Sequence, residues 1–341
     1  MKYVKLNFKA VKASFTFPVL VTPATVSTLV ANSMEHFNLT KYPIHLRGSD
    51  AYKSLVASAR ESLEKDGCCR LQNFILPAAV LRMQVECGSL VGAALGNQYG
   101  RSVNCWYSKG DSSLPQAHPL NVHFAREFGV IRDDMIGEND VVRQVYNNLH
   151  LIRFVADILG VPSLYQSRDS YQALTVNVMT NGEHLHWHFD CNECAVTLGI
   201  QEPEGGGELE FVPNIGRHNY ESIAEIFEED NARNRAQHSS TTDCLTHLLP
   251  TRDFASGPLT ASPKSGRIQR HSYQTTAGTL IFFRGYNSLH RVCEVKGSTP
   301  RLVAALQFHT SADAFDSPET TRRIYGVPVS EHLAPKPPRG V

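Results

Sequence analysis

The chain has 341 residues, more than one compact core usually needs, and is read as one large domain with a helical front portion. Lys+Arg and Asp+Glu both total 33, so the formal net charge is zero. This argues against a dedicated nucleic-acid binder, which carries a basic stripe. No unbroken apolar stretch approaches the ~20 residues of a membrane span; the most apolar early run, Phe15 to Ala31, is broken by Pro18, Pro23 and several threonines.

The first 34 residues carry lysines at 2, 5, 9 and 12 and no acidic residue before Glu35. A transit segment has this look. The absence of arginine and the strand-like alternation of Val4, Leu6 and Phe8 favour a structured N-terminal arm, taken as residues 1–48. A helical front portion follows over 49–164. Ser49-Asp50 is placed to cap a helix through Lys65, with Tyr52, Leu55, Val56, Ala59 and Leu63 on one face and Gly67 ending it in a left-handed turn. Pro77 begins a second helix reaching Val85 or beyond. Residues 97–120 read as a loop, yet they contain Tyr99, Arg101, Trp106 and Tyr107, residues suited equally to a lid or to packing on the domain. Asp140 is placed to cap a third helix through Leu159, with Val142, Val145, Tyr146, Leu149, Ile152 and Ala156 at helical spacing; Gly160 and Pro162 end it.

At about Tyr165 the pattern changes to short strands. Leu174, Val176 and Val178 alternate with Thr175, Asn177 and Met179, and further strands are expected over 195–200, 208–212, 278–283 and 302–309. Many short strands behind a helical front predict an α+β chain with a mainly β core, a closed or two-sheet architecture such as a jelly roll, spanning 165–315. Residues 217–275 interrupt the strand series as a polar insertion or lid with a short helix near Tyr220–Glu229. Residues 316–341 form a C-terminal tail.

Eight cysteines, at 68, 69, 87, 105, 191, 194, 244 and 293, show no disulfide framework, and no secretory signal is evident. Reduced thiols and a cytoplasmic location are the expectation. Cys191-x-x-Cys194 lacks a second knuckle and is read chiefly as ordinary strand residues, with a zinc or redox role as the minor alternative.

The chemistry concentrates in His186-Trp187-His188-Phe189-Asp190 and, one hundred residues after Asp190, in Ser288-Leu289-His290-Arg291-Val292 followed by Arg301. Residues i and i+2 of a strand share a face, so His188 and Asp190 are expected to look inward together, with His290 arriving from the opposite sheet. Two imidazoles and one carboxylate on one face of a metal suit non-haem Fe(II). The three remaining positions then take a chelating keto acid and O₂, and the Arg301 guanidinium is suited to fork onto the distal carboxylate of that acid. His186 competes with His188 as an i, i+2 partner, but only His188 completes H-x-D.

The segment from about 67 to 310 resembles the Fe(II)/2-oxoglutarate-dependent oxygenases. Within them it looks most like the branch of free-amino-acid hydroxylases and halogenases. The resemblance is carried by Asp169-Ser170-Tyr171, Asn177-Val178, Gly182-Glu183, Trp187-His188-Phe189-Asp190, Ala195-Val196-Thr197-Leu198, Gly206 to Asn214, Gly278-Thr279-Leu280 and Ser288 to Val292. It implies a cupin-like double-stranded β-helix with helices packed on it, His188, Asp190 and His290 as iron ligands, and Arg301 as the 2-oxoglutarate anchor. It also implies O₂ as co-substrate, ascorbate as a reductant in vitro, and succinate and CO₂ as co-products. Halogenating relatives have a small residue where Asp190 stands, so the hydroxylase type is implied, with desaturation or ring closure, including aziridine formation, as variants. Two departures are visible: Val303 stands where an R-x-S pair would place Ser, and the 217–275 insertion looks longer than usual.

The expected partner is a small polar substrate, a free amino acid or derivative, with no nucleic acid and no membrane, on a monomer or homodimer. Arg101, Arg284 and Arg291 are candidates for its carboxylate, and Glu183, Glu193 and Asp169 for its ammonium. Two alternatives stay open: a zinc or manganese cupin-like enzyme without a keto acid, for which Arg301 has no use, and a non-catalytic jelly-roll binding protein.

Overall fold

The computed structural model describes residues 34–94, 101–126, 128–192, 194–240, 268–314, 337 and 340–341. The alternation of Val4, Leu6 and Phe8, Tyr99, Glu193, Cys244 and nearly all of the tail over 316–341 therefore lie outside the described residues.

Helix α1 (Asp50–Asp66) starts where Ser49 Oγ accepts the Tyr52 N–H, and it ends at Gly67, whose φ of 67° is the left-handed turn glycine adopts without a Cβ clash. Strand β1 (Cys68–Leu71) follows directly, and Pro77 opens α2 (Pro77–Gly88). The segment 97–120 is not all loop: Arg101–Val103 pairs with Phe124–Arg126. Strand β2 is Gly129–Ile131. The single helix expected over 140–159 is two, α3 (Val141–Tyr146) and α4 (Leu149–Leu159). Asn148 breaks it, because its side chain accepts the N–H groups of His150 and Leu151 and caps a new helix. Asp140 stands at the start of α3, but its carboxylate accepts the Gly137 N–H rather than a helix N–H.

Eight strands form the β core: β3 (Leu174–Met179), β4 (Leu185–His188), β5 (Ala195–Gln201), β6 (Leu209–Val212), β7 (His271–Tyr273), β8 (Leu280–Phe283), β9 (Leu289–Val292) and β10 (Arg301–Leu306). Between β6 and β7 lies α5 (Tyr220–Ser240), 21 residues long where a short helix ending near Glu229 was expected. The larger sheet runs β1-β8-β5-β10-β3-β2 and the smaller β7-β6-β9-β4, with every pairing antiparallel. First pairs with last (β3 with β10), second with seventh (β4 with β9), third with sixth (β5 with β8) and fourth with fifth (β6 with β7). That nesting is a long hairpin wound on itself, which is a jelly roll.

Alternation along the larger sheet divides its side chains. Leu174, Val176, Val178, Val196, Leu198, Leu280, Phe282, Leu302, Ala304 and Leu306 face away from the smaller sheet and are buried with the apolar faces of α1 to α4 in one core. Burying each large apolar side chain contributes about 1.5–3 kcal/mol, so this face fixes register strongly. The opposite residues of the same strands, Thr175, Asn177, Ala195, Thr197, Phe283, Arg301, Val303 and Ala305, line a cavity between the two sheets. One sheet thus carries a core on one face and one wall of a pocket of mixed polar and apolar lining on the other.

Candidate metal and anion site

His188 closes β4, and His290 is its direct cross-strand partner on β9. Sequence reading placed His290 on the opposite sheet; it lies on the neighbouring strand of the same, smaller sheet. Directly opposed residues share a face, so both imidazoles project inward, with ring centroids 4.0 Å apart. Each ring sets its Nδ1 against a backbone carbonyl two residues earlier, His188 on His186 O at 2.8 Å and His290 on Ser288 O at 2.9 Å. A proton on Nδ1 leaves Nε2 as a lone-pair donor facing the cavity.

Asp190 lies just past the end of β4, where its N–H donates to Gly285 O at 3.0 Å. Its Oδ1 stands 3.4 Å from His290 Nε2 and 3.8 Å from His188 Nε2. Its Oδ2 is buried and, among the described residues, has no hydrogen-bond partner. Burial alone would raise this carboxyl; His290, by charge and hydrogen bond, with His188 and Arg217, holds it below the ordinary carboxylate value. Gly285 has to be glycine, since a Cβ there would overlap the Asp190 carboxylate. One ligand atom from each of His188, Asp190 and His290 falls within a mutual 4.8 Å, the arrangement expected of residues able to hold a metal ion.

Arg301 opens β10 on the larger sheet and is 4% exposed. Its Nε donates to Gly207 O at 2.9 Å and its Nη2 to Thr275 Oγ1 at 3.2 Å. Among the described residues no carboxylate forms an ion pair with it. Burial pulls its pKa down to about 10, against the weaker opposing pull of Cys293 and the Glu208 carboxylate, which lies too far to form an ion pair. Gly207, at φ 71°, lets the backbone lie against the arginine stem. The three-residue cluster and Arg301 line the same cavity of about 200 Å³, the first from the smaller sheet and the second from the larger.

His186 is not part of the cluster. It stacks on Phe124 at 4.6 Å and meets His184 ring to ring, Nε2 to Nε2 at 2.8 Å. Burial, then His184 and Arg291, lower its pKa to about 4. Tyr107 lies edge-on to His188 at 5.8 Å and lines the cavity. Its φ of 52° is costly for an aromatic residue, and the turn is held by Asn104, whose Oδ1 accepts from the N–H groups of Trp106 and Ser108. Trp106 packs instead on Phe189 and Tyr220.

The candidates for substrate charge separate clearly. Arg291 faces the outside of the smaller sheet, bound to Glu210 at 2.6 Å and Asp230 at 2.7 Å. Asp169 is buried, accepting the N–H groups of Tyr171 and Gln172, and Glu183 accepts the Thr180 N–H within its own turn. The Arg101 side chain lies outside the described residues. Arg284 lines a second cavity beside the first. Among the described residues Cys191 and Cys194 form no disulfide and belong to no metal-binding group. Sequence reading missed Arg217, whose Nη1 donates to Asp190 O at 2.8 Å and whose guanidinium lies over Tyr286 and Phe189. Nothing local marks it; only the packing of the segment after β6 against the β4 end brings it there.

No helix among the described residues is long and apolar enough to cross a membrane. No protein-family profile matches the chain, and no curated protein matches it. Among solved structures, EctD from S. alaskensis with 2-oxoglutarate and 5-hydroxyectoine is 15% identical, with 82% of this chain and 84% of that chain covered at a TM-score of 0.47. The non-haem α-ketoglutarate-dependent carbocyclase SnoK from nogalamycin biosynthesis is 12% identical, covering 83% and 92% at 0.45. A Pseudomonas putida prolyl-4-hydroxylase is 12% identical, covering 74% and 98% at 0.41. These likenesses are low, and it is the nested strand pairing of the chain itself that makes it a jelly roll.

Proposed function

We propose that this chain is an Fe(II)/2-oxoglutarate-dependent oxygenase acting on an unactivated C–H bond of a small polar substrate. The observation that carries the reading is the pairing, across one cavity, of a two-imidazole, one-carboxylate face with a buried guanidinium that makes no ion pair among the described residues. The donor set fits Fe(II): two imidazoles whose Nδ1 atoms lie against backbone carbonyls and a carboxylate with one oxygen unpartnered among the described residues, grouped on one side so that the other side is left to small ligands. A zinc or manganese enzyme without a keto acid gives Arg301 no task.

In this reading His188, Asp190 and His290 hold the metal, which when bound supplies the O₂ chemistry coupled to decarboxylation of the keto acid. Arg301 forks onto the distal carboxylate of 2-oxoglutarate, and Gly207 O and Thr275 Oγ1 fix the plane of the fork. Phe283, Leu209, Val292, Val303 and Ala305 line the cavity and keep water from the reacting centre. Arg217 and Gly285 hold the Asp190 backbone, so its carboxylate stays with the histidines. Because Asp190 occupies the position that a halide would need, the products are hydroxylated, desaturated or cyclised. A free amino acid or derivative is the substrate class, following the resemblance to the amino-acid hydroxylase branch.

The test is direct. Purified protein given Fe(II), ascorbate and 2-oxoglutarate should form succinate, and chloride buffer should give no chlorine isotope pattern in any product from a free-amino-acid panel. No succinate under any condition would sink the reading; a chlorinated product would remove the role given to Asp190.

A further inference from the structure

At about 200 Å³ the inner cavity is small beside the ~300–1,000 Å³ of ordinary small-molecule sites. A second cavity of about 750 Å³ adjoins it, and Cys191 and Asn192 line both. The outer cavity is walled by the C-terminal parts of α1 and α4, by the Arg284–Asn287 loop after β8, and by the segment following β10. Where the two meet, Asn192 Nδ2 donates to Gln307 Oε1 at 2.6 Å.

The charges lining the outer cavity do not balance. Arg60 is committed, its Nε and Nη2 both donating to Asp157 O. Glu64 is exposed at the rim. His309 has its pKa lowered by burial and carries no charge at neutral pH. Arg284 is half-buried, and among the described residues its guanidinium makes no hydrogen bond or ion pair. Its backbone is rigid: the N–H donates to Gly67 O at 2.9 Å, and the carbonyl accepts from Asn287 and Ser288. The residue before it, Phe283, lies edge-on to His290 at 4.7 Å, and the residue after it, Gly285, takes the Asp190 N–H. A partly desolvated cation on a fixed stretch of backbone, one residue from two contacts of the proposed metal ligands, calls for an anion, and a single fork matches a carboxylate.

Resting on the oxygenase reading of the inner cavity, we propose that Arg284 anchors a free carboxylate of the substrate in the outer cavity. The substrate is then a small carboxylic acid, with α-amino acids the first class to examine. Its carboxylate stays in the outer cavity, and the carbon to be oxidised reaches the inner one past Cys191 and Asn192.

The experiment compares wild type, Arg284→Met and Arg284→Lys, each loaded anaerobically with Fe(II) and 2-oxoglutarate. The probes are the free proteinogenic amino acids and their methyl esters, titrated by calorimetry. The visible absorption band of the keto acid on Fe(II) reports the inner cavity separately. The band should form in all three proteins. At least one free acid should bind the wild type, and its ester at least about tenfold more weakly. Arg284→Met should weaken that acid about 10- to 100-fold, the loss of a charge-assisted pair, and Arg284→Lys should recover part of it. The proposal is overturned if the acid binds Arg284→Met as tightly as wild type, if the ester binds as well as the acid, or if no probe binds wild type. A wild-type protein without the band overturns the inner-cavity reading; acid binding that is still lost in Arg284→Met keeps Arg284 as the anchor.

Discussion

The two faces of the smaller sheet treat charge in opposite ways. On the outer face, Arg291 of β9 and Glu210 of β6 are cross-strand partners, and Arg291 also reaches Asp230 of α5. Asp230 further accepts from Arg270 at 2.7 Å and from the indole N–H of Trp187, over which Arg291 lies at 4.6 Å. Arg270 adds Glu229 at 2.7 Å. Each charge there finds an opposite charge within the chain, and the network clamps α5 onto the backs of both histidine-bearing strands. On the inner face and directly across the cavity, among the described residues, Asp190 Oδ2 has no hydrogen-bond partner and Arg301 makes no ion pair. A closed network of buried charge is an account of structure; open charges on both walls of one cavity point to ligands.

The largest expected effect comes from the open face. His188→Ala or His290→Ala should abolish turnover and strongly weaken Fe(II) binding, while the unfolding midpoint of the apo protein stays near that of wild type. Loss of activity caused by global unfolding would erase the distinction between the faces, and full activity in either purified variant would remove the ligand assignment. His186→Ala, outside the cluster, should keep Fe(II) binding.

The closed face should answer in stability instead. Asp230→Ala leaves Arg270, Arg291 and the Trp187 N–H without their shared acceptor, and breaking such a pair by removing one partner costs on the order of 3 kcal/mol. Chemical denaturation of the apo protein measures it. A loss within about 0.5 kcal/mol would show that α5 is held by its apolar residues Ile223, Ile226 and Phe227 and not by the ion pairs.

Next in size is the cosubstrate anchor. Arg301→Lys replaces a bidentate fork by a point charge and should raise the KM for 2-oxoglutarate about 10- to 100-fold, the equivalent of roughly 1.5–3 kcal/mol. Arg143 is the control, equally buried but paired with Asp133 at 2.6 Å. Arg143→Met should destabilise the fold because it strands a buried carboxylate, whereas Arg301→Met should keep or raise stability while losing 2-oxoglutarate. Steady-state kinetics with denaturation of both variants separates the cases. An unchanged KM in Arg301→Lys would point to another anchor.

The jelly roll was legible because its alternation is strict: Thr175 and Asn177 between Leu174, Val176 and Val178 announce two different faces, and they have them. The H-x-D spacing likewise announced a shared direction for His188 and Asp190. What failed was long-range or masked by periodicity. Which sheet His290 joins depends on how the hairpin winds, and H-x-D carries no trace of it. The break at Asn148 was hidden because Val145, Leu149 and Ile152 keep helical spacing across it. Arg217, and the Trp187–Asp230–Arg270 network, join residues tens of positions apart, and three of the four lie in the 217–275 segment that the sequence marks only as a polar insertion. Arg291 and Arg284 looked equivalent as anion partners; only the structure shows one neutralised and the other not.

The smallest expected effect belongs to a third kind of charge, paired but partly exposed. Asp157 of α4 accepts from Arg47 at 2.9 and 3.0 Å and from Tyr52 Oη at 2.5 Å, joining α4 to α1 and to the segment before it. Burial would raise its pKa, but the Arg47 and Tyr52 hydrogen bonds and the charges of Arg47 and Arg60 carry it below the ordinary carboxylate value. A carboxyl whose folded pKa is depressed contributes stability that is present above its unfolded pKa of about 4 and is lost as pH falls through the lower folded value. Because Arg47 is largely exposed and water screens the pair, the contribution is about 1 kcal/mol or less. Asp157→Asn should therefore be slightly less stable than wild type at neutral pH, and the gap should close as pH falls below about 4. Denaturation curves across that range check it. A gap that persists unchanged in acid would mean that Asp157 acts through the shape of its contacts with Tyr52 and Arg47, and not through its charge.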